Sequence, residues 1–133
     1  MWLQMNRDNQ DIKDILFLKG LKSFNESDFY DAHEYWEELW SDYILSDRKF
    51  IQGLIQLAVA YFHITNINKR GALSMFKKCQ LKIEMFKPFT RGLDVNYILN
   101  SIRLSINNLN DIEDVRDFDW SLIPRLELSD ERA

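Results

Sequence analysis

The chain has 133 residues, 46% of them hydrophobic and 14% aromatic, which is enough for one domain with one apolar core and leaves no room for a second. Four glycines and two prolines are too few for a turn-rich β-sandwich and favour helices, while a single cysteine excludes an intramolecular disulfide and a cage of thiolate metal ligands. The net charge of −4 argues against non-specific nucleic-acid binding, and no apolar run reaches the roughly 18 residues of a transmembrane helix. We therefore predict one helical domain over residues 1–133, located in the cytoplasm or an equivalent reducing compartment, with neither nucleic acid nor a membrane as its partner.

The hydrophobic periodicity predicts five consecutive helices joined by short turns. Their predicted ranges are 11–23, 28–43, 48–65, 69–86 and 94–110. Ser27, Asp47 and Asn68 are placed to cap the second, third and fourth helices. No strand is predicted. The expected fold class is therefore all-α, a compact bundle of these helices followed by a mostly irregular acidic tail (residues 111–133) that Trp120 anchors.

The second predicted helix carries a histidine and three glutamates beside an apolar face. His33 lies at the flank of that face, and Glu37 follows one turn later, since residues four apart are neighbours on a helix. Glu34 lies further round, and Glu38 points away from the core. His33 and Glu37 are therefore expected to face inward together at the border of the core.

The third predicted helix is apolar nearly all round, which is typical of the central helix of a soluble bundle. Its polar side chains Gln52, Gln56 and His63 fall on one narrow stripe. Because a buried polar group without a partner costs about 1–3 kcal/mol, this stripe should meet polar groups of a neighbouring helix. The predicted pocket between the second and third helices consists of His33, Glu34, Glu37, Gln52, Gln56 and His63.

Charge is distributed unevenly along the chain. Residues 1–66 carry 6 basic and 11 acidic side chains, residues 67–110 carry 8 and 2, and the acidic tail carries 3 and 8. A basic segment between acidic ends could attract an anionic partner. The interpretation we favour is that the acidic tail lies across the basic segment of its own chain, because such charge blocks are usually solvated or intramolecular.

Three sequence blocks occur in order, namely FNESDFYDAHEYWEELW, RKFIQGLIQLAVAYFH and NKRGA. Over residues 24–86 they resemble the small helical family catalogued as domain of unknown function number 309. In that family a histidine–glutamate pair, a second glutamate and a tryptophan share one helix, and a QGLIQ-A-A helix that ends in histidine follows. The corresponding residues here are His33, Glu34, Glu37, Trp40, Gln52, Gln56 and His63, followed by Gly71 and Ala72. The resemblance implies a helical bundle and no particular activity.

The predicted pocket admits three interpretations, and the sequence supports no named reaction. The first is a hydrogen-bonded structural network, or a small-ligand site, between the two helices. The second is a metal-dependent, hydrolase-like enzyme in which His33, Glu37 and His63 bind a divalent metal, although Glu37 replaces the second histidine of the H-E-x-x-H zinc motif. The third is a protein interaction module or homo-oligomer that uses Trp2, Trp120 and the acidic tail. No cofactor is predicted, and we expect a protein that is not an enzyme.

Overall fold

The structure is a computed structural model that describes residues 2–129, with side chains described from residue 9 onward. Within this range the chain forms the helices α1 (Trp2–Asn25), α2 (Phe29–Asp42), α3 (Arg48–Thr65), α4 (Lys69–Ile83) and α5 (Val95–Asp111). The predicted all-α fold is thereby confirmed. No helix in the described part of the chain is long and apolar enough to cross a membrane.

Two helix boundaries differ from the prediction. α1 begins at Trp2 rather than near residue 11, because residues 2–10 contain neither glycine nor proline to stop the helix. α4 ends at Ile83 and continues only as a 3-10 turn over Glu84–Phe86. Neither difference moves the residues of the predicted pocket.

A small antiparallel ribbon corrects the prediction that the chain would contain no strand. It consists of β1 (Phe89–Thr90) and β2 (Leu93–Asp94), with Thr90 opposite Leu93. The two residues between the strands, Arg91 and Gly92, have φ angles of 52° and 80°. Two consecutive positive φ angles are typical of the tight turns that close two-residue hairpins.

The joint between α1 and α2 is a Schellman motif. The Ser27 N–H donates to the Phe24 carbonyl oxygen at 2.9 Å, and the Asp28 N–H donates to the Ser23 carbonyl oxygen at 2.8 Å. Ser27 has a φ of 63°, and Asp28 caps α2 by accepting a hydrogen bond from the Asp31 N–H. The predicted cap at Ser27 is therefore wrong by one residue, because Ser27 occupies the left-handed position that ends α1.

The joint between α3 and α4 repeats this motif. The Ile67 N–H donates to the Ile64 carbonyl oxygen at 3.0 Å, and the Asn68 N–H donates to the His63 carbonyl oxygen at 2.8 Å. Asn68 Oδ1 accepts from the Gly71 N–H at 2.9 Å, so Asn68 caps α4 as predicted. Joints this short make the two helices that they connect run antiparallel.

Asp47 takes the predicted N-cap position of α3, but its side chain makes no capping hydrogen bond. Its carboxylate instead accepts two hydrogen bonds from the Arg91 guanidinium, from Nε and, at 2.9 Å, from Nη2. The guanidinium also lies over the Phe17 ring, 4.8 Å from the ring centroid. This bidentate pair therefore ties the β1–β2 turn to the start of α3 and to α1.

The core is built around α3, which packs against both α2 and α4. Tyr61 of α3 is fully buried and makes edge-to-face contacts with Phe24 of α1 and Phe76 of α4. Its hydroxyl lies 2.8 Å from the Ser105 Oγ atom of α5. With its further contact to Phe29 of α2, this one side chain of the central helix contacts the four other helices.

The acidic tail returns towards α1 and α2. Trp120 stacks on Phe29 of α2, with ring centroids 6.2 Å apart, so it anchors the tail as predicted. Further along, the Asn25 side chain of α1 donates to the Leu126 carbonyl oxygen at 3.0 Å and accepts from the Leu126 N–H at 2.8 Å. The tail therefore closes the bundle on the side of the first two helices.

Acidic side chains of the tail pair with the tail's own arginines. Asp114 binds Arg116 at 2.8 Å, and this guanidinium lowers the pKa of the Asp114 carboxyl. Lys69 of the basic segment reaches the tail through the Ile112 carbonyl oxygen rather than through a carboxylate. In the part of the chain that the structure describes, no ion pair joins the tail to residues 67–110. The tail contacts this segment through hydrogen bonds instead, such as those from the Arg125 N–H to the Tyr97 hydroxyl and from the Ser129 N–H to the Gly92 carbonyl oxygen.

Candidate functional site

A cavity of about 190 Å³ lies between the start of α2 and the end of α3. Residues 43–47 connect these two helices as an antiparallel pair, so His33, near the start of α2, comes beside His63, in the last turn of α3. The cavity is lined by Phe29, Tyr30, His33, Val59, Phe62 and His63. Two of the predicted site residues thus line one cavity, and the side chains around them are mainly apolar.

Aromatic rings form much of the cavity wall. The Tyr30 ring lies with its centroid 5.7 Å from that of His33 and 5.6 Å from that of Phe62. Phe29 is buried and packs against the central Tyr61, whereas Tyr30 is 52% exposed. The cavity is therefore bounded by the core on the side of Phe29 and reaches solvent on the side of Tyr30.

His63 is held by the residue that caps α4. Its Nδ1 atom lies 3.2 Å from Nδ2 of Asn68, whose Oδ1 accepts the capping hydrogen bond from Gly71. A Cβ atom at Gly71 would lie 2.5 Å from Asn68 Nδ2 and 3.0 Å from His63 Cγ. The absence of a side chain at Gly71 therefore allows the imidazole, the amide and the first turn of α4 to come together.

His33 is paired with a different glutamate from the one predicted. Its Nδ1 atom lies 3.5 Å from Glu34 Oε1, and its side chain is 25% exposed. Glu37 is exposed and does not line the cavity. The expected inward-facing pair of His33 and Glu37 is therefore a wrong prediction, because a step of four residues moves Glu37 roughly 6 Å along α2, away from the cavity.

Gln52 and Gln56 are half-buried on α3 but do not line the cavity. They lie about three and two helical turns before His63, or roughly 16 and 10 Å along the axis, which is beyond the reach of its imidazole. Gln56 Oε1 is buried and has no hydrogen-bond partner among the described residues. The predicted polar pocket of six residues is therefore corrected to an aromatic cavity with two histidines.

The predicted metal ligands are not assembled. In the described part of the chain, no three His, Cys, Asp or Glu side chains are placed so that they could hold one metal ion. His33 and His63 share the cavity, but Glu37, the expected carboxylate ligand, lies outside it. The interactions that the lining residues offer are hydrogen bonds from two imidazoles and contacts with aromatic faces.

Most residues of the cavity were not predicted from the sequence. Tyr30 lies three residues before His33 on α2, and this spacing could have placed it on the same side of the helix. Val59 and Phe62 are two of many apolar residues on α3, with nothing to distinguish them from the core. Asn68 was predicted as a cap, but its contact with His63 depends on the turn between α3 and α4.

The chain was compared with curated proteins and with models of protein families. A search among curated proteins found none that matches this chain. The family model described as Domain of unknown function (DUF309) matches residues 17–75, which begin in α1 and end in α4. The predicted resemblance covered residues 24–86, so the match begins seven residues earlier and ends eleven residues earlier. The matched residues include every residue that lines the cavity. The predicted resemblance is thus confirmed: residues 17–75 of this chain are similar to the DUF309 family of unknown function.

Proposed function

We propose that this protein binds a small ligand in the cavity between α2 and α3. The observation that carries the proposal is an aromatic cavity of about 190 Å³ with two imidazoles in its lining. An apolar protein cavity of about 150 Å³ is large enough to hold benzene. A cavity of the present size therefore has room for a ligand body of about one ring.

The lining divides into an apolar part and a polar part. Phe29, Val59 and Phe62 offer contacts for a hydrocarbon or aromatic body, while His33 and His63 offer hydrogen bonds that orient it. Small-molecule sites commonly combine an apolar lining with a few polar groups in this way. The proposed activity is binding, and no reaction is assigned to the site.

The test is a titration of isotopically labelled protein with single-ring compounds, followed by NMR. Ligands of the cavity are expected to shift the methyl resonances of Val59 and the ring resonances of Phe62. Val59→Trp should fill the cavity and abolish the shifts at Phe62. Leu99→Trp is the control, because it introduces the same large side chain at a half-buried position of α5 outside the cavity. This control should leave the ligand-induced shifts at Phe62 intact. The proposal fails if no compound shifts these resonances, or if Val59→Trp binds as well as the wild type.

A second candidate function is electrostatic self-association, and the distribution of charge favours it. α2 carries five acidic and no basic side chains, whereas α4 carries five basic and no acidic ones. Both helices pack against α3, and no ion pair joins them to each other within the described residues. A second copy related by a two-fold axis could place α2 of each chain against α4 of the other.

This candidate is tested by sedimentation velocity at about 20 mM and about 500 mM salt, because exposed charges are screened as salt rises. A dimer that dissociates at high salt is expected. Lys77→Glu with Lys78→Glu should prevent it, and mixing this variant with Glu34→Lys, Glu38→Lys protein should restore a mixed dimer. Lys19→Glu with Lys22→Glu on α1 is the matched control and should dimerise normally. A protein that stays monomeric at both salt concentrations contradicts the candidate.

A further inference from the structure

The hydrogen bonds of Asn68 determine which nitrogen of His63 carries the proton. Asn68 Oδ1 accepts from the Gly71 N–H at 2.9 Å, so the other end of the amide, the Nδ2 donor, faces His63 Nδ1 at 3.2 Å. An amide nitrogen only donates, and Nδ1 must therefore accept. A neutral imidazole whose Nδ1 accepts carries its proton on Nε2. His63 thus has an N–H donor at Nε2.

In His33 the Nε2 atom is an acceptor, whereas in His63 it is a donor. Its Nδ1 atom lies 3.5 Å from a carboxylate oxygen of Glu34, and an ionised carboxylate only accepts. The neighbouring carboxylate favours the proton on Nδ1, which leaves a lone pair on Nε2. In both rings Nε2 is the nitrogen without a partner among the described residues. The two histidines that line the cavity therefore carry one N–H donor, on His63, and one acceptor, on His33.

We propose, on the basis of the small-ligand function above, that the ligand is of the carboxamide or lactam class, a ring-sized apolar body with a C=O and an N–H on adjacent atoms. His63 Nε2–H donates to the carbonyl oxygen, and His33 Nε2 accepts from the ligand N–H. A carboxylate offers two acceptors and leaves the His33 lone pair without a donor. A site built for specific hydrogen bonds discriminates against a ligand that leaves one of them unmade.

Asn68 acts in this scheme as a positioning residue through His63. Asn68→Asp keeps the cap of α4, since aspartate and asparagine cap helices equally well. Its second carboxylate oxygen, however, faces His63 Nδ1 as an acceptor and draws the proton from Nε2 to Nδ1. The variant therefore converts the donor of the cavity into an acceptor while the fold is kept. Asp28→Asn, the reverse exchange at the matching position of the α1–α2 joint, is the control.

The first measurement is a long-range ¹H–¹⁵N correlation spectrum at pH about 8, above the ordinary imidazole pKa of about 6.5. We expect the Nε2–H form for His63 and the Nδ1–H form for His33 in the wild type, and the Nδ1–H form for His63 in Asn68→Asp. The Asp28→Asn control should give the wild-type spectrum. A wild-type His63 with its proton on Nδ1 would overturn the proposal irrespective of any ligand.

The second measurement compares the binding of benzamide, benzoate and benzyl alcohol by the same NMR titration. Benzamide is expected to bind about tenfold or more tightly than the other two, and Asn68→Asp should lose this preference. Similar affinities for all three compounds, or a preference that survives Asn68→Asp, would overturn the ligand class and leave the binding function in place. If none of the three compounds, and no other single-ring compound, shifts the Val59 and Phe62 resonances, both the ligand class and the binding function are rejected.

Discussion

Gly20 determines how closely α1 and α2 approach each other. A Cβ atom at this position would lie 2.0 Å from Nε1 of Trp36, which is fully buried. That same nitrogen donates to the Phe17 carbonyl oxygen of α1 at 3.2 Å. A mid-helix glycine costs roughly 1 kcal/mol of helix propensity relative to alanine. In this chain the cost is offset by the contact that glycine allows between α1 and the indole.

Gly20→Ala is therefore expected to destabilise the protein, although alanine is the better helix former. The indole must move and its hydrogen bond to Phe17 weakens, and overpacking of this kind costs about 1–3 kcal/mol. Urea unfolding followed by circular dichroism measures the effect. Lys22→Ala, at an exposed position of the same helix, is the control and should change the free energy of unfolding by less than about 0.5 kcal/mol. An unchanged midpoint for Gly20→Ala would show that the core accommodates the methyl group.

The exposure of Glu37 has a consequence for stability. Glu37→Ala leaves the ion pair of His33 intact, because that pair is made with Glu34. We expect the free energy of unfolding to change by less than about 0.5 kcal/mol, as for most surface substitutions. His33→Ala, which removes a ring packed against Tyr30, should have the larger effect. Thermal unfolding of both variants tests this order, and a larger loss in Glu37→Ala than in His33→Ala would contradict it.

At the level of the helices, two joints of the same design connect α1 to α2 and α3 to α4. In each, a residue with positive φ ends one helix, and the next residue caps the following helix. Ser27 and Ile67 occupy the positive-φ positions, with φ angles of 63° and 58°. A left-handed conformation costs roughly 1–2 kcal/mol for an L-residue and is particularly unusual for a β-branched one. Ile67 is therefore a strained residue, and it is also 54% exposed.

Ile67→Gly is expected to stabilise the protein. Glycine adopts this backbone conformation without steric cost, so the substitution removes the strain of the left-handed isoleucine. Glycine also loses more chain entropy on folding than isoleucine does, and we expect a net gain in the free energy of unfolding of about 0.5–1 kcal/mol. The matched control is Ile44→Gly, because Ile44 is 90% exposed and does not have a positive φ. The control should be slightly less stable than the wild type. Equal losses of stability in the two variants, measured by urea unfolding, would refute the assignment of strain to Ile67.

At the level of the whole molecule, the Cys79 thiol and the Tyr61 hydroxyl are buried in the shared core. Burial raises the pKa of the Cys79 thiol and of the Tyr61 hydroxyl above their ordinary values of 9.0 and 10.0. The hydrogen bond between Tyr61 and Ser105 opposes this shift only in part. Both groups are therefore neutral in the folded protein at pH values where they ionise in the unfolded chain.

Alkaline pH is expected to destabilise the fold. Above about pH 9 the unfolded chain releases the Cys79 proton while the folded chain retains it, and Tyr61 follows above about pH 10. The unfolded state then binds fewer protons, so stability falls by about 1.4 kcal/mol per pH unit for each group. Urea unfolding between pH 7 and pH about 10.5 measures this fall. Cys79→Ala should be less stable than the wild type at neutral pH, and its free energy of unfolding should fall less steeply with pH above about pH 9. If the free energy of unfolding falls equally steeply in both proteins, the role of the thiol is contradicted.

Much of the fold was predictable because helices are encoded locally. Apolar spacing identified the five helices, and the cap at Asn68 was predicted because a short polar side chain can accept from the backbone N–H three residues on. The ribbon at residues 89–94 was missed because strands of two residues have no periodicity to detect. The error at Ser27 arose because a serine before a helix can serve either as its cap or as the end of the preceding helix.

The candidate site was predictable only in part, for a reason of geometry. His33 and His63 both line the cavity, whereas Glu37 and Gln56, which were expected beside them from their positions on each helix, do not. Direction around a helix does not specify which level along one helix meets which level on its neighbour. The antiparallel pairing of α2 with α3 sets those levels, and it brings aromatic residues rather than carboxylates and amides to the two histidines.

The linear sequence thus determined the features that depend on neighbours within about one helical turn, namely the helices, the cap at Asn68 and the buried character of α3. Tertiary structure alone decided the contacts that join distant segments. Examples are the Asp47–Arg91 pair, the approach of Trp36 to Gly20 and the cavity shared by α2 and α3. Such contacts depend on how far each helix is rotated and shifted against the next. The close packing of the whole core sets that rotation and shift, because interdigitating side chains leave few alternatives.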